Sequence, residues 1–174
     1  RFWDEAARNA LVSAYLAQTL GCSPKEDAHL FGLFHDAGIP LLMRRFPDYR
    51  EVLKRANAEP VRSFTDVEDD MVGTNHAVVG SLLAKGWQLP EHIRLAIGQH
   101  HDQGVFSSRL PPESLNLIAL AHLAEHIESG YSRLSGDAEW DKRGDDILAH
   151  LMLSQDQYDE LARDAYEMLE RSGQ

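Results

Sequence analysis

Cysteine is nearly absent from this chain, with Cys22 the only one in 174 residues. A lone thiol cannot form an internal disulfide, so nothing asks for an oxidising compartment and the cytoplasm is the expected location. Lysine is scarce too, with four against nine histidines. The formal net charge of −11 at pH 7 argues against the phosphate footprint that broad nucleic-acid binding requires. Long hydrophobic runs are missing as well. Stretches such as 115–121 fall far short of the roughly 20 residues a membrane helix needs, and no basic, apolar leader is legible, so neither a membrane span nor export is expected. Alternating strand patterns, internal repeats and low-complexity tracts are not found. The opening Arg1-Phe2-Trp3 lacks a methionine and already lies in a helical pattern, which reads as a fragment or processed piece of a longer protein.

What is present is the composition of a globular protein of ordinary domain size, read as a single domain over residues 1–174 that can bury roughly 70% of the surface its unfolded form exposes. The apolar residues recur with helical period almost throughout, so the expected class is all-α. A first helix covers 2–20, stopped by Gly21, with Ser23-Pro24 opening the next. The second is expected to end or kink just past Asp36, ahead of Gly38 and Pro40. Further helices are expected over 48–58, from a cap at Thr74 to Gly86, and from Pro90 to His100-His101. Residues 63–71 read as a short helix or turn. After a loop over 102–112 come a helix from Pro112 or Glu113 to Ser129, a polar loop over 130–143, and helices over 145–151 and 154–169, the last capped by Ser154.

The histidines are the informative feature. Imidazole and carboxylate together bind iron, manganese and zinc, and a helical bundle can gather such ligands from several helices. His35 and Asp36 are neighbours, roughly 100° apart on a helix, so they cannot share one face. His76 has Gly80 one turn on, which lets its helix approach another closely beside the imidazole. His122 shares a face with Leu115 and Ile118, and Glu5 with Val12 and Leu16, so both are expected to point inward. His29, His92, His126 and His150 have no partner at suggestive spacing and read as structural or solvated. The acidic run from Asp66 to Asp70 reads as a solvated face. A Gly-rich phosphate loop, a nucleophile elbow and a CxxC pair are all missing.

The order of motifs, His35-Asp36-Ala37-Gly38, then Gly73-Thr74-Asn75-His76-Ala77-Val78-Val79-Gly80, then Trp87-Gln88-Leu89-Pro90, then His100-His101, closely resembles the HDOD family, the HD-related output domain of bacterial signalling proteins. The resemblance runs from about Phe2 to Ile127. It corresponds to the HD half of that domain, the helical segment that usually precedes it being missing here. It implies a compact HD-like helical bundle, related to metal-dependent HD phosphohydrolases and to the HD-GYP phosphodiesterases of cyclic-di-GMP. The positions that resemble HD-type metal ligands are His35, Asp36, His76, His100 and His101. Glu5 stands where such enzymes usually carry an upstream histidine, and His122 where they end with aspartate. Ile39 replaces the lysine that meets substrate phosphate in enzymatic relatives, and the Gly-Tyr-Pro element is missing after His101.

These residues lead to an expected function: a non-catalytic signal-transduction output domain of the kind attached to response regulators, with a degenerate HD-type metal site. Its expected partners are other signalling proteins or an attached upstream sensor or receiver domain. The alternative is a metal-dependent phosphohydrolase acting on a nucleotide or cyclic dinucleotide, and a third reading keeps the histidines as a metal-free polar core. Any bound ion is expected to be iron, manganese or zinc rather than calcium, because nitrogen donors outnumber oxygen.

Overall fold

A computed structural model describes residues 2–132 and 137–172. Among them lie ten α-helices, a short 3-10 turn over Val105–Ser107 and no strand, which is the all-α class expected. The helices are α1 Phe2–Leu20, α2 Lys25–Phe34, α3 Gly38–Arg45, α4 Tyr49–Ala58, α5 Phe64–Val72, α6 His76–Gly86, α7 Glu91–Gln99, α8 Pro112–Tyr131, α9 Ala138–His150 and α10 Gln155–Ser172. None is long and apolar enough to cross a membrane.

The centre of the bundle is α8. Leu117, Ile118, Leu120, Leu123 and Ile127 are all buried, so this helix is enclosed rather than amphipathic, as a core helix should be. Helices α1, α2, α7, α9 and α10 pack around it. On α10 the buried residues Leu161, Ala165 and Leu169 recur every fourth position, giving one apolar stripe that rests on α1 and α8. Helices α3 to α5 form a flank with smaller cores of their own, one around Leu42, Tyr49 and Val52, another around Ala56, Phe64 and Val67.

Local chemistry explains the boundaries. Gly21, at φ +65°, takes the left-handed turn that stops α1, a conformation that costs glycine little. The expected break after Asp36 is a turn followed by a new helix rather than a kink, with Pro40 in the first turn of α3, where its missing N–H would have had no partner. Residues 63–71 form a helix because Ser63 and Asp66 make a reciprocal capping box. The cap of α6 is Asn75 rather than Thr74, its side chain accepting from the Val78 N–H at 2.9 Å. Ser154 caps α10 as expected, accepting from the Gln157 N–H.

The polar loop expected over 130–143 is the main correction to the helix pattern. Residues 133–136 of that stretch lie outside the described residues. From Asp137 the chain is capped, its side chain accepting from Trp140 N–H at 3.0 Å, and α9 starts at Ala138. Its charged residues concealed an inward face made by Arg143, Gly144 and Ile147.

Candidate metal centre

Both adjacent pairs lie at the ends of helices. His35-Asp36 follows the last residue of α2, and His100-His101 follows the last residue of α7. His35 and His100 still have right-handed helical backbone angles, so the two side chains of each pair diverge and reach different partners around the site. The ring centroids of His100 lie 5.2 Å from His35, 5.2 Å from His76 and 4.3 Å from His101.

Each of the four imidazoles is held by its Nδ1. His35 donates to the carbonyls of Phe31 and Gly32, both at 3.2 Å. His76 donates to Glu68 Oε2 at 2.7 Å, His100 to the Ile97 carbonyl at 2.7 Å, and His101 to Glu139 Oε2 at 3.0 Å. All these partners are oxygen acceptors. The hydrogen-bond network therefore assigns a proton to Nδ1; Nε2 of His76 and of His100 turns to Asp36 Oδ1, and Nε2 of His35 to Glu125 and Asp36 Oδ2, as the free nitrogen does in metal-ligating histidines.

Three donor atoms meet there. His76 Nε2 stands 3.2 Å from His100 Nε2 and 3.2 Å from Asp36 Oδ1, and His100 Nε2 stands 3.4 Å from Asp36 Oδ1. Tetrahedral ligands on one ion at bond lengths near 2.0–2.1 Å are about 3.3 Å apart. Asp36 Oδ1 is one of two buried side-chain polar atoms with no hydrogen-bond partner among the described residues, although buried oxygens are nearly always satisfied. The donor set, its spacing and the orphaned oxygen fit a transition-metal ion, with His101 beside them as a fourth candidate. A second group consists of His35, Asp36 and Glu125: His35 Nε2 is 2.8 Å from Glu125 Oε1 and 3.4 Å from Asp36 Oδ2. Asp36 thus turns one oxygen to each group.

The electrostatics follow from this crowding. Burial opposes a charge on His76, but the carboxylates of Asp36 and Glu68 outweigh it and raise its pKa to about 10. His35 is raised to about 9 in the same way, by Asp36 and Glu125 against burial. His100 goes the other way, lowered to about 4 by burial and by the charge of His76 and His35, in spite of the Asp36 carboxylate beside it. His101 is lowered well below the usual range, chiefly by burial and the neighbouring His100. Asp36 resists the upward push of burial because the surrounding imidazoles favour its ionised form.

Close packing sets the registers of the helices that carry the donors. A methyl group built on Gly38 would overlap the backbone carbonyl of His76, so only glycine lets α3 pass against the start of α6. Gly80 fulfils the expected close approach, since a Cβ there would sit 3.0 Å from Ile97 Cγ2 and 3.4 Å from the His35 carbonyl.

The remaining expected donors are placed less directly. His122 lies beside the cluster, its ring 6.0 Å from His100 and 5.6 Å from His101. Its Nε2 donates to the His100 carbonyl at 2.8 Å and its Nδ1 faces Glu125 Oε2 at 3.1 Å. Glu5 lines the cavity above the cluster. Of the histidines expected to be structural or solvated, His29 is exposed, while His92, His126 and His150 bond Asp27, Asp137 and Asn116.

Sequence reasoning missed three carboxylates. Glu68, expected on a solvated face, is fully buried and bonds both Tyr49 Oη and His76. It lies one turn after Phe64 and beside Val67, on the apolar stripe of α5, and that spacing was its available signal. Glu125, one turn after His122, was legible in the same way. Glu139 carried no local signal.

The cavity over the cluster measures about 710 Å³. Its wall holds seven carboxylates, Glu5, Asp36, Glu125, Glu128, Asp137, Glu139 and Asp141, and no lysine or arginine among the described residues. Ile39 and Met43 face it from α3.

Comparison with known proteins gives the geometry a family context. An uncharacterized protein of Treponema pallidum (strain Nichols) is 27% identical over 103 residues, or 59% of this chain and 20% of that protein. A crystal structure from Shewanella amazonensis SB2B, of a protein provisionally named a phosphohydrolase, is similar with a TM-score of 0.69 at 21% identity, over 96% of this chain and 59% of that one. A second, from Marinobacter aquaeolei VT8, of a protein provisionally named for signal transduction, is similar with a TM-score of 0.69 at 22% identity, over 97% of this chain and 38% of that one. The chain thus spans a fifth to three fifths of the length of these relatives. A model of the HDOD domain family matches residues 1–103, which include His35, Asp36, His76, His100 and His101 but none of the groups supplied by α8 and α9; the chain belongs to the HDOD domain family.

Proposed function

We propose that this chain is a signal-transduction output domain that holds a transition-metal ion in its HD-type cluster and does not turn over phosphate esters. The observation that carries the reading is the cavity wall. Seven carboxylates line it; Glu128 and Glu139 pair with Arg8, Lys142 and Arg143, but no lysine or arginine is itself among the described lining residues, and Ile39 lies where the resemblance to enzymatic HD proteins implies a lysine. A polyanionic substrate meets repulsion there rather than attraction. A phosphoryl group in its transition state also needs cationic contacts, and losing one such group typically costs on the order of 100-fold or more in rate.

Asp36, His76 and His100, with His101 at their side, would hold zinc, iron or manganese, and Glu125 with His35 and Asp36 offers a second donor group. An ion of that kind supplies Lewis acidity and ties together helices that are distant in sequence. The Nδ1 acceptors keep the imidazoles oriented, and Glu68 and Glu139 make them more basic donors. The partner is another signalling protein or an upstream sensor or receiver domain, in the cytoplasm of a bacterium.

A metal-dependent phosphohydrolase acting on a nucleotide or cyclic dinucleotide is the second reading. One observation favours it: Asp36 turns an oxygen to each donor group, an arrangement that lets a single carboxylate serve two ions. The decisive experiment incubates metal-loaded protein with cyclic-di-GMP and with nucleoside mono- and triphosphates and follows products by chromatography. The expected result is turnover indistinguishable from background. Multiple turnover that disappears in His35→Ala or Asp36→Ala would promote the hydrolase reading.

A further inference from the structure

Helix α9 lies outside the segment matched by the family model, yet two of its side chains reach the His100-His101 pair. Arg143 is buried and spans both backbone carbonyls, Nη1 donating to His100 O at 2.7 Å and Nη2 to His101 O at 3.0 Å. One turn earlier on α9, Glu139 accepts from His101 Nδ1 at 3.0 Å and approaches Arg143 Nη2 at 3.3 Å.

We propose that Arg143 and Glu139 are positioning residues that make the end of α7 a metal-ligating element, so that α9 is a working part of the site. The inference rests on the metal-binding reading above. His100 and His101 follow the last residue of α7, where carbonyls have lost their helical partners and carry the negative end of the helix dipole. A planar guanidinium satisfies two consecutive carbonyls with one rigid fork, which a lysine cannot do. Fixing those two peptide groups fixes both Cα–Cβ directions, and hence where the two rings point. Glu139 then sets the rotation of the His101 ring and the nitrogen that carries its proton. The arrangement accepts a cost, because Arg143 Nε is buried without a hydrogen-bond partner among the described residues. Coupling between two sites is reciprocal, so metal at the cluster tightens α9 as α9 tightens the ligands.

The test titrates zinc ions alone against the full chain and its R143M, R143K and E139A variants, using a competing chromophoric chelator. Thermal unfolding and amide hydrogen exchange are followed in parallel. Folded R143M and E139A are expected to bind zinc about 10- to 100-fold more weakly. R143K keeps the charge but loses the fork and is expected to recover only part of that loss. Zinc is expected to slow exchange in α9 of the wild type and not in R143M. A purely structural role would lower the melting temperature and leave zinc affinity unchanged, which overturns the inference. If R143M does not fold, R143K and E139A decide by the same criterion. A wild-type protein that binds neither zinc, iron nor manganese overturns the metal reading and this inference with it, whereas normal wild-type binding with unchanged variants overturns this inference alone.

Discussion

Asp36 Oδ1 and His76 Nε2 stand 3.2 Å apart, and yet the oxygen has no aligned hydrogen bond among the described residues. Shared coordination of one ion satisfies both atoms at that separation. Protein purified without chelator or a histidine tag is therefore expected to carry iron, manganese or zinc, and Asp36→Asn, which keeps shape and loses charge, is expected to weaken zinc binding at least about 100-fold. Elemental analysis and competition titration check this, and fewer than about 0.2 ions per wild-type chain would count against it.

Metal affinity and metal-free stability are expected to respond to pH in opposite senses. His35 and His76 have folded pKa values of about 9 and about 10, above the ordinary value near 6.5. Between pH 6.5 and those values the folded chain binds more protons than the unfolded chain. The stability these groups contribute is fully present below pH 6.5 and is lost as pH rises through 9 to 10. An incoming ion must displace the same protons, so apparent zinc affinity should rise over that range, by about tenfold per pH unit for each proton released. Melting curves of metal-free protein between pH 6.5 and 9.5, paired with zinc titrations, test both slopes. A metal-free melting temperature that climbs with pH would refute the assignment.

Glu68 is enclosed completely and serves Tyr49 Oη, His76 Nδ1 and the His76 N–H at once. Glu68→Ala strands those donors in the interior, and a loss of about 3–5 kcal/mol is expected by chemical denaturation. Glu68→Gln keeps the volume and one acceptor, so its cost should be clearly smaller. Equal costs would mean that packing rather than the hydrogen bonds holds this corner.

Gly38→Ala pushes a methyl group into the His76 carbonyl, and backbone cannot yield as a flexible side chain can. A destabilisation of about 3 kcal/mol or more is expected. Gly80→Ala brings its methyl to 3.0 Å from Ile97 Cγ2 and 3.4 Å from the His35 carbonyl, without overlapping backbone, and should cost less. Denaturation of the two variants side by side checks the order.

Much of the architecture is written locally. The apolar stripes of α1 and α10, the stop at Gly21 and the cap at Ser154 all act within a few residues, so period and capping chemistry reveal them. Helix α9 was missed in its first half because its buried face includes Arg143 and Gly144, residue types that ordinarily mark solvent or turns. Glu68 was misplaced because the run 66–70 looks uniformly acidic until neighbouring helices enclose one of its members.

The sequence by itself determined most of the helices, the family and the candidate donors His35, Asp36, His76, His100 and His101, since each rests on local spacing and motif order. Only the tertiary structure decided that Glu125 rather than His122 meets His35, that His76, His100 and His101 gather with Asp36 at one centre while His35 joins Asp36 and Glu125 in a second, and that Glu139 and Arg143 hold the end of α7. Those facts join residues separated by 24 to 90 positions in the chain, and no local energy term relates them. They follow from how α3, α8 and α9 pack on α2, α6 and α7, and such packing depends on the shape of whole helix faces rather than on any one residue.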